Sequence, residues 1–116
     1  QIKQRIRTVQ MEMARKRMMS AVPDADVIVT NPTHISIAIK YDPEKTSAPV
    51  VVAKGVGPIA MRIREIAKEH GIPLVEDKPL ARTLNKTVEI GQLIPASLYK
   101  AVAEILAYVF KLKNFS

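Results

Sequence analysis

The chain has 116 residues, 18 of them Lys or Arg and 11 Asp or Glu, with 47% hydrophobic residues and no cysteine. That is the size of one domain with enough apolar mass for a core, which excludes wholesale disorder. Lack of cysteine excludes disulfides, thiolate zinc sites and a cysteine nucleophile, and His34 and His70 are too few for a histidine-rich metal cluster.

The net charge of +7 is unevenly spread. Residues 1–20 carry Lys3, Arg5, Arg7, Arg15, Lys16 and Arg17 against Glu12, a balance of +5, whereas the other 96 residues carry 12 basic and 10 acidic side chains, a balance of +2. Ile2, Ile6, Val9 and Met13 recur at spacings of four, three and four, so this stretch reads as a helix with a narrow apolar strip. The expectation is a basic linker helix over residues 1–22 that projects from a compact body over residues 23–116. Such a helix could meet anionic lipid, an acidic partner or nucleic acid. The few aromatic residues are Tyr41 and then, late in the chain, Tyr99, Tyr108, Phe110 and Phe115, so a base-stacking platform interleaved with cations is missing and nucleic acid is not expected. No uninterrupted apolar run approaches the roughly 20 residues that span a bilayer. The chain opens on Gln1 with no signal-peptide pattern behind it, and is expected to come from something longer.

Pro23-Asp24 marks the end of the first helix. Asp26–Thr30 is β-branched almost throughout and predicts a strand. A turn at Asn31–His34 leads into Ile35, Ile37 and Ile39 alternating with Ser36, Ala38 and Lys40, the pattern of a strand with one apolar face. Asp42–Pro49 is a polar loop. Val50–Ala53 is a continuous apolar run and predicts a central strand buried on both faces. Gly55–Pro58 turns the chain into a helix over roughly 58–70, with Ile59, Ile63 and Ile66 on its core side and Gly71 at its C-cap. His70 in the last turn suits the helix dipole and needs no chemistry. Pro73–Glu76 is a short strand, and Asp77 caps a brief helix near Pro79–Lys86. A last helix begins around Pro95, with Leu98, Val102, Ile105, Leu106 and Val109 inward and Ser97, Lys100 and Glu104 outward. Strand–helix–strand spacing from Val50 to Glu76 implies a parallel pair, and the earlier strands should be antiparallel to their neighbours. The fold class is α/β, a mixed four-stranded sheet surrounded by helices.

Asn31-Pro32-Thr33-His34 is compatible with a plain β-turn, with Asn first and Pro second. It also carries a reaction. Pro32 has no N–H, so the usual deamidation of Asn31 by the following backbone nitrogen is closed. The reverse attack stays open: the Asn31 side-chain nitrogen can strike its own main-chain carbonyl and expel the proline nitrogen. The chain would then part between Asn31 and Pro32, leaving a C-terminal succinimide. Orientation by the fold lowers the barrier, each factor of ten needing about 1.4 kcal/mol. His34 could handle a proton at either step or simply order the turn, and Thr33 offers a hydroxyl or N–H to the developing oxyanion.

Four blocks, NPTHISIAIKYD from Asn31, APVVVAKGVG from Ala48, IREIAKEHGIPLVEDKPLARTL from Ile63 and EIGQLIPASLYKAVAEILAYV from Glu89, resemble the cytoplasmic domain of the FlhB/YscU/SpaS family. The resemblance spans essentially residues 1–112, and the last block looks most like the flagellar branch. It implies an export-apparatus component of bacterial type III secretion in the inner membrane, with four transmembrane helices ahead of this domain and the domain itself on the cytoplasmic side. It implies one intramolecular cut between Asn31 and Pro32, with Thr33 and His34 completing the motif and both pieces staying together. The cut form would permit a switch in export specificity from rod-and-hook to filament substrates. The implied partners are other export-gate and cytoplasmic export-apparatus proteins, secreted substrates and the hook-length ruler protein. No cofactor or metal is expected. Lys54 in AKG and Arg82 in PLAR match as well, without assigned chemistry.

Two rival readings are an injectisome member of the same family and a nucleotide-binding α/β domain. The second rests on Gly55-Val56-Gly57-Pro58-Ile59-Ala60, which fits G-x-G-x-x-A, with Glu76 at about the spacing of a ribose-binding acid. Against it, Pro58 removes an N–H from the helix start, and the chain is too short for two mononucleotide halves.

Overall fold

The structure, a computed structural model, describes residues 2–115; the outermost residues of the two expected segments, Gln1 and Ser116, lie outside the described residues. Helix α1 (Ile2–Ala21) ends in a 3-10 turn at Val22–Asp24, where Pro23 can no longer supply a helical N–H. Then follow β1 (Val27–Asn31), β2 (Ile35–Lys40), β3 (Val50–Val56), α2 (Gly57–Glu69), β4 (Leu74–Glu76), α3 (Lys78–Thr87) and α4 (Tyr99–Phe115). The strands form one mixed sheet in the order β3-β2-β1-β4, with β1 antiparallel to β2, β2 antiparallel to β3, and β1 parallel to β4.

Helices cover both faces. On one, Val27, Val29, Ile37, Ile39 and Val51 pack against Leu80 and Leu84 of α3 and Val102, Leu106 and Val109 of α4. On the other, Ile28, Ala38 and Ala53 pack against Met18, Val22 and the Ile63, Ile66 and Ala67 side of α2. Because each face has its own helical layer, Ile35–Ile39 is buried throughout rather than on one face, including Ser36 at 0% exposure.

Val50–Ala53 was expected at the sheet centre, and the structure places it at an edge. Burial along β3 alternates, and a bulge between Ala38 and Ile39 of the register lets Val52 and Ala53 both turn toward the α2 face. The run is apolar because the bulge and a covering segment bury it piecemeal: Val51 N donates to Gln92 O at 3.1 Å, and Gly91 N to Val51 O at 2.7 Å. Gly55 and Val56, expected in a turn, continue the strand. Nor are β3 and β4 a neighbouring pair. The α2 connection carries the chain past β2 and β1 to the far edge, where β4 pairs with β1. The central strand is therefore β1 with β2 beside it.

Residues 3–17 of α1 are all exposed, and only Met18 is buried. The long dimension of the molecule, 53 Å against 30 and 28 Å, reflects this projecting helix. Among the described residues no helix is long and apolar enough to cross a membrane.

Candidate functional site

The Asn31–His34 segment closes the β1–β2 hairpin, with Asn31 opposite Ile35. Both strands are held up to the turn. Asp77 N donates to Thr30 O at 2.9 Å from the start of α3, and Gly57 N donates to His34 O at 3.0 Å from the start of α2. The last residue of one strand and the first of the next thus have little freedom, although Thr33 and His34 are exposed.

Within the turn, His34 N donates to Asn31 O at 3.0 Å. Thr33 has φ 69°, the one positive φ outside glycine among the described residues. Proline at the second position and positive φ at the third are the features of a type II turn. The bonded oxygen belongs to the carbonyl that the Asn31 amide would attack, so a backbone N–H already points at the atom where negative charge would develop. That donor is His34 N rather than a group of Thr33. The Asn31 side chain is half-buried and makes no hydrogen bond among the described residues, which leaves its amide uncommitted.

The His34 ring turns back over the turn. Its Nδ1 lies 3.0 Å from Pro32 O and 3.1 Å from Thr33 Oγ1. A carbonyl only accepts, so in this contact Nδ1 is the donor, and in the neutral ring the lone pair then sits on Nε2. All four motif residues therefore fall in one hairpin turn.

Other contacts at the site were not legible in the sequence. Ser36 Oγ, fully buried, donates to Ala60 O at 2.9 Å and accepts from Arg64 at 3.3 Å, tying the start of β2 to α2. A polar residue alternating with isoleucines was its only signal, and that pattern reads equally as a solvent face. Lys54 donates to Asn85 O at 2.9 Å near the C-terminus of α3, with Glu89 at 3.7 Å, which gives the AKG lysine a helix-capping role. Arg82 is exposed.

The glycines of the rival nucleotide reading have a packing explanation. A Cβ on Gly55 would collide with Ile59 Cγ2 and lie 2.8 Å from Ile59 Cβ, so glycine lets β3 and α2 approach. Gly57 takes φ 57° to start the helix. Among the described residues, no three His, Cys, Asp or Glu side chains come together as a metal site would require.

Residues 1–109 match the model of the FlhB HrpN YscU SpaS family. The flagellar biosynthetic protein FlhB of Bacillus subtilis is 58% identical over 113 residues, 97% of this chain but 31% of that protein. This chain thus spans about a third of the length of such relatives. Among solved structures, the cytoplasmic domain of FlhB from Shewanella putrefaciens is 48% identical with a TM-score of 0.83, covering 87% of this chain and 78% of its own. An EscU C-terminal domain with an asparagine replaced by alanine is 34% identical with a TM-score of 0.77, covering 79% of this chain and 92% of its own. A second EscU form has the next residue, a proline, replaced by alanine. The family match over nearly the whole length, agreeing with the fold and with high identity to flagellar relatives, makes this chain a member of the FlhB/YscU/SpaS family of type III export proteins.

Proposed function

We propose that the chain is the cytoplasmic domain of a flagellar type III protein-export membrane component, and that it cuts itself once between Asn31 and Pro32. The observation that carries this reading is the bond from His34 N to Asn31 O at 3.0 Å in a turn that follows Asn31 with proline. The Asn31 side-chain nitrogen adds to the Asn31 carbonyl carbon, and charge builds on the oxygen that His34 N–H already holds. His34 Nε2 takes the proton released by the amide. The bond to Pro32 then breaks, with the proton returned to the proline nitrogen. The products are a C-terminal succinimide on residues 1–31 and a free Pro32 amine on residues 32–116. No external substrate is turned over. Replacement of an asparagine and the adjacent proline in EscU supports the reading, since this chain has a single Asn-Pro pair and EscU keeps the fold.

In the same reading, residues 1–22 link the domain to the membrane, and the cut permits the switch from rod-and-hook to filament substrates. Its partners are export-gate proteins, secreted substrates and the hook-length ruler protein. Mass spectrometry of the purified chain tests the chemistry. Two fragments dividing after Asn31 are expected from the native sequence, and a single intact chain from Asn31→Ala. Fragments at the same bond in Asn31→Ala would overturn side-chain cyclisation.

A further inference from the structure

All five methionines of the chain lie on α1 or α2: Met11, Met13, Met18, Met19 and Met61. Met11, Met13 and Met61 are exposed, and Met19 is half-buried. Thioether side chains are unbranched, polarisable and able to repack, so they suit surfaces that accept apolar segments of varied shape. One of them, Met19, lines a groove of about 470 Å³ between the two helices, whose apolar side it forms with Pro58 and Ile59. Its charged lining is Arg15, Lys16 and Arg62 with one acid, Glu12. Val9, Glu12, Lys16 and Met19 follow one another at spacings of three, four and three, so they share one face of α1. Ile2, Arg5 and Val9 line the next hollow along the helix. From Ile2 to Met19 the face runs about 25 Å, enough for a bound helix of about four to five turns.

Charge narrows the choice of occupant. Among the described residues, none of the α1 cations has an ion-pair partner, whereas Lys45 pairs with Asp42, Lys54 with Glu89, and Arg62 with Glu65 and Glu69. A segment that covers this face must bring carboxylates, whereas a basic segment would add repulsion. A bilayer also offers negative charge, but its flat surface supplies no ridge of side chains to fill a concave apolar floor. We propose that the α1–α2 groove docks an acidic amphipathic helix of a partner protein, with apolar residues at helical spacing entering the groove and carboxylates meeting the α1 cations. The proposal does not depend on the cut at Asn31.

The test uses the full chain with ¹³C-labelled methionine methyls. The probe is a fluorescent helical peptide of about 20 residues, matched to the groove, with leucines along one face and glutamates elsewhere. A sister peptide carries lysines in place of the glutamates, and mixed phosphatidylcholine–phosphatidylserine vesicles form the third arm. The acidic peptide is expected to bind and shift the Met19 methyl resonance, and the basic peptide to do neither. The double variant Arg15→Glu/Lys16→Glu, at exposed positions, is expected to weaken binding about tenfold or more, which is about 1.4 kcal/mol. Equal binding of the two peptides, or acidic-peptide binding that leaves Met19 unmoved, overturns the proposal. So does a Met19 shift produced by vesicles and not by peptide, which would assign this face to a membrane. Should the double variant misfold, the acidic-against-basic comparison on the native chain decides.

Discussion

Thr33 carries a branched Cβ at φ 69°, a conformation that costs such a residue on the order of 1–2 kcal/mol. The register of β1 and β2 closes on the turn from both sides and holds it there. In an Asn31→Ala background, where the proposed nucleophile is gone, Thr33→Gly should relieve that strain. The larger unfolded-state entropy of glycine offsets part of it, leaving a gain of about 0.5–1 kcal/mol in a urea titration. A loss of stability would show that the turn stores no strain at this residue. The two glycines at the head of α2 differ in the same terms. Alanine at Gly55 must displace Ile59 and should cost about 1–3 kcal/mol. Alanine at Gly57 meets nothing within 4 Å, so it bears only the positive-φ penalty of about 1–2 kcal/mol. Thermal unfolding of both variants should rank Gly55→Ala as the less stable, and the reverse order would mean that Ile59 gives way easily.

Elements divide into those that build the core and one, α1, that enters it at its C-terminal end through Met18. Leu84 of α3 is fully buried against the sheet, so Leu84→Ala should cost about 2–5 kcal/mol through lost burial and the cavity left behind. Cutting the chain back to Arg17 takes away, among the described residues, only exposed side chains of α1 and should change the stability of the remainder by about 0.5 kcal/mol or less. A large drop in melting temperature on that truncation would show that the outer turns of α1 pack on the body. Between β2 and α2 the link is polar. Ser36→Ala deletes the donor to Ala60 O and the acceptor of Arg64, a change of about 1 kcal/mol. If the link also holds the turn for reaction, fragment formation in Ser36→Ala should slow as well.

At the scale of the whole molecule, the proposed cut falls beside the central strand. The piece ending at Asn31 supplies β1, which lies between β2 and β4. Its Val22, Val27, Ile28 and Val29 are fully buried, at about 1.5–3 kcal/mol each. The ladder bonds from β1 to both neighbours do not pass through the Asn31–Pro32 peptide, so they survive its loss. The two pieces should co-elute on gel filtration and part only in denaturant. Separate elution in native buffer would mean that the hairpin connection, and not burial, holds the sheet together.

Local pattern and motif determined much of this by themselves. β-branched runs marked the strands, Asp77 marked the cap it forms on Leu80 N at 3.1 Å, and periodicity marked the inward face of α4. Four motif residues adjacent in sequence are necessarily adjacent in space, so Asn31-Pro32-Thr33-His34 was visible as a turn before any fold was known. The family was legible as well, because its blocks are long and their spacing is kept. Strand order was not legible. An apolar run such as Val50–Ala53 records that it is covered, not by what, and here a bulge and the 91–94 segment cover an edge. The partners of the turn were hidden for the same reason. Gly57 and Asp77 reach His34 and Thr30 only because the α2 connection crosses the sheet and sets both helix starts at one end of it, a consequence of packing two helical layers that no local pattern encodes.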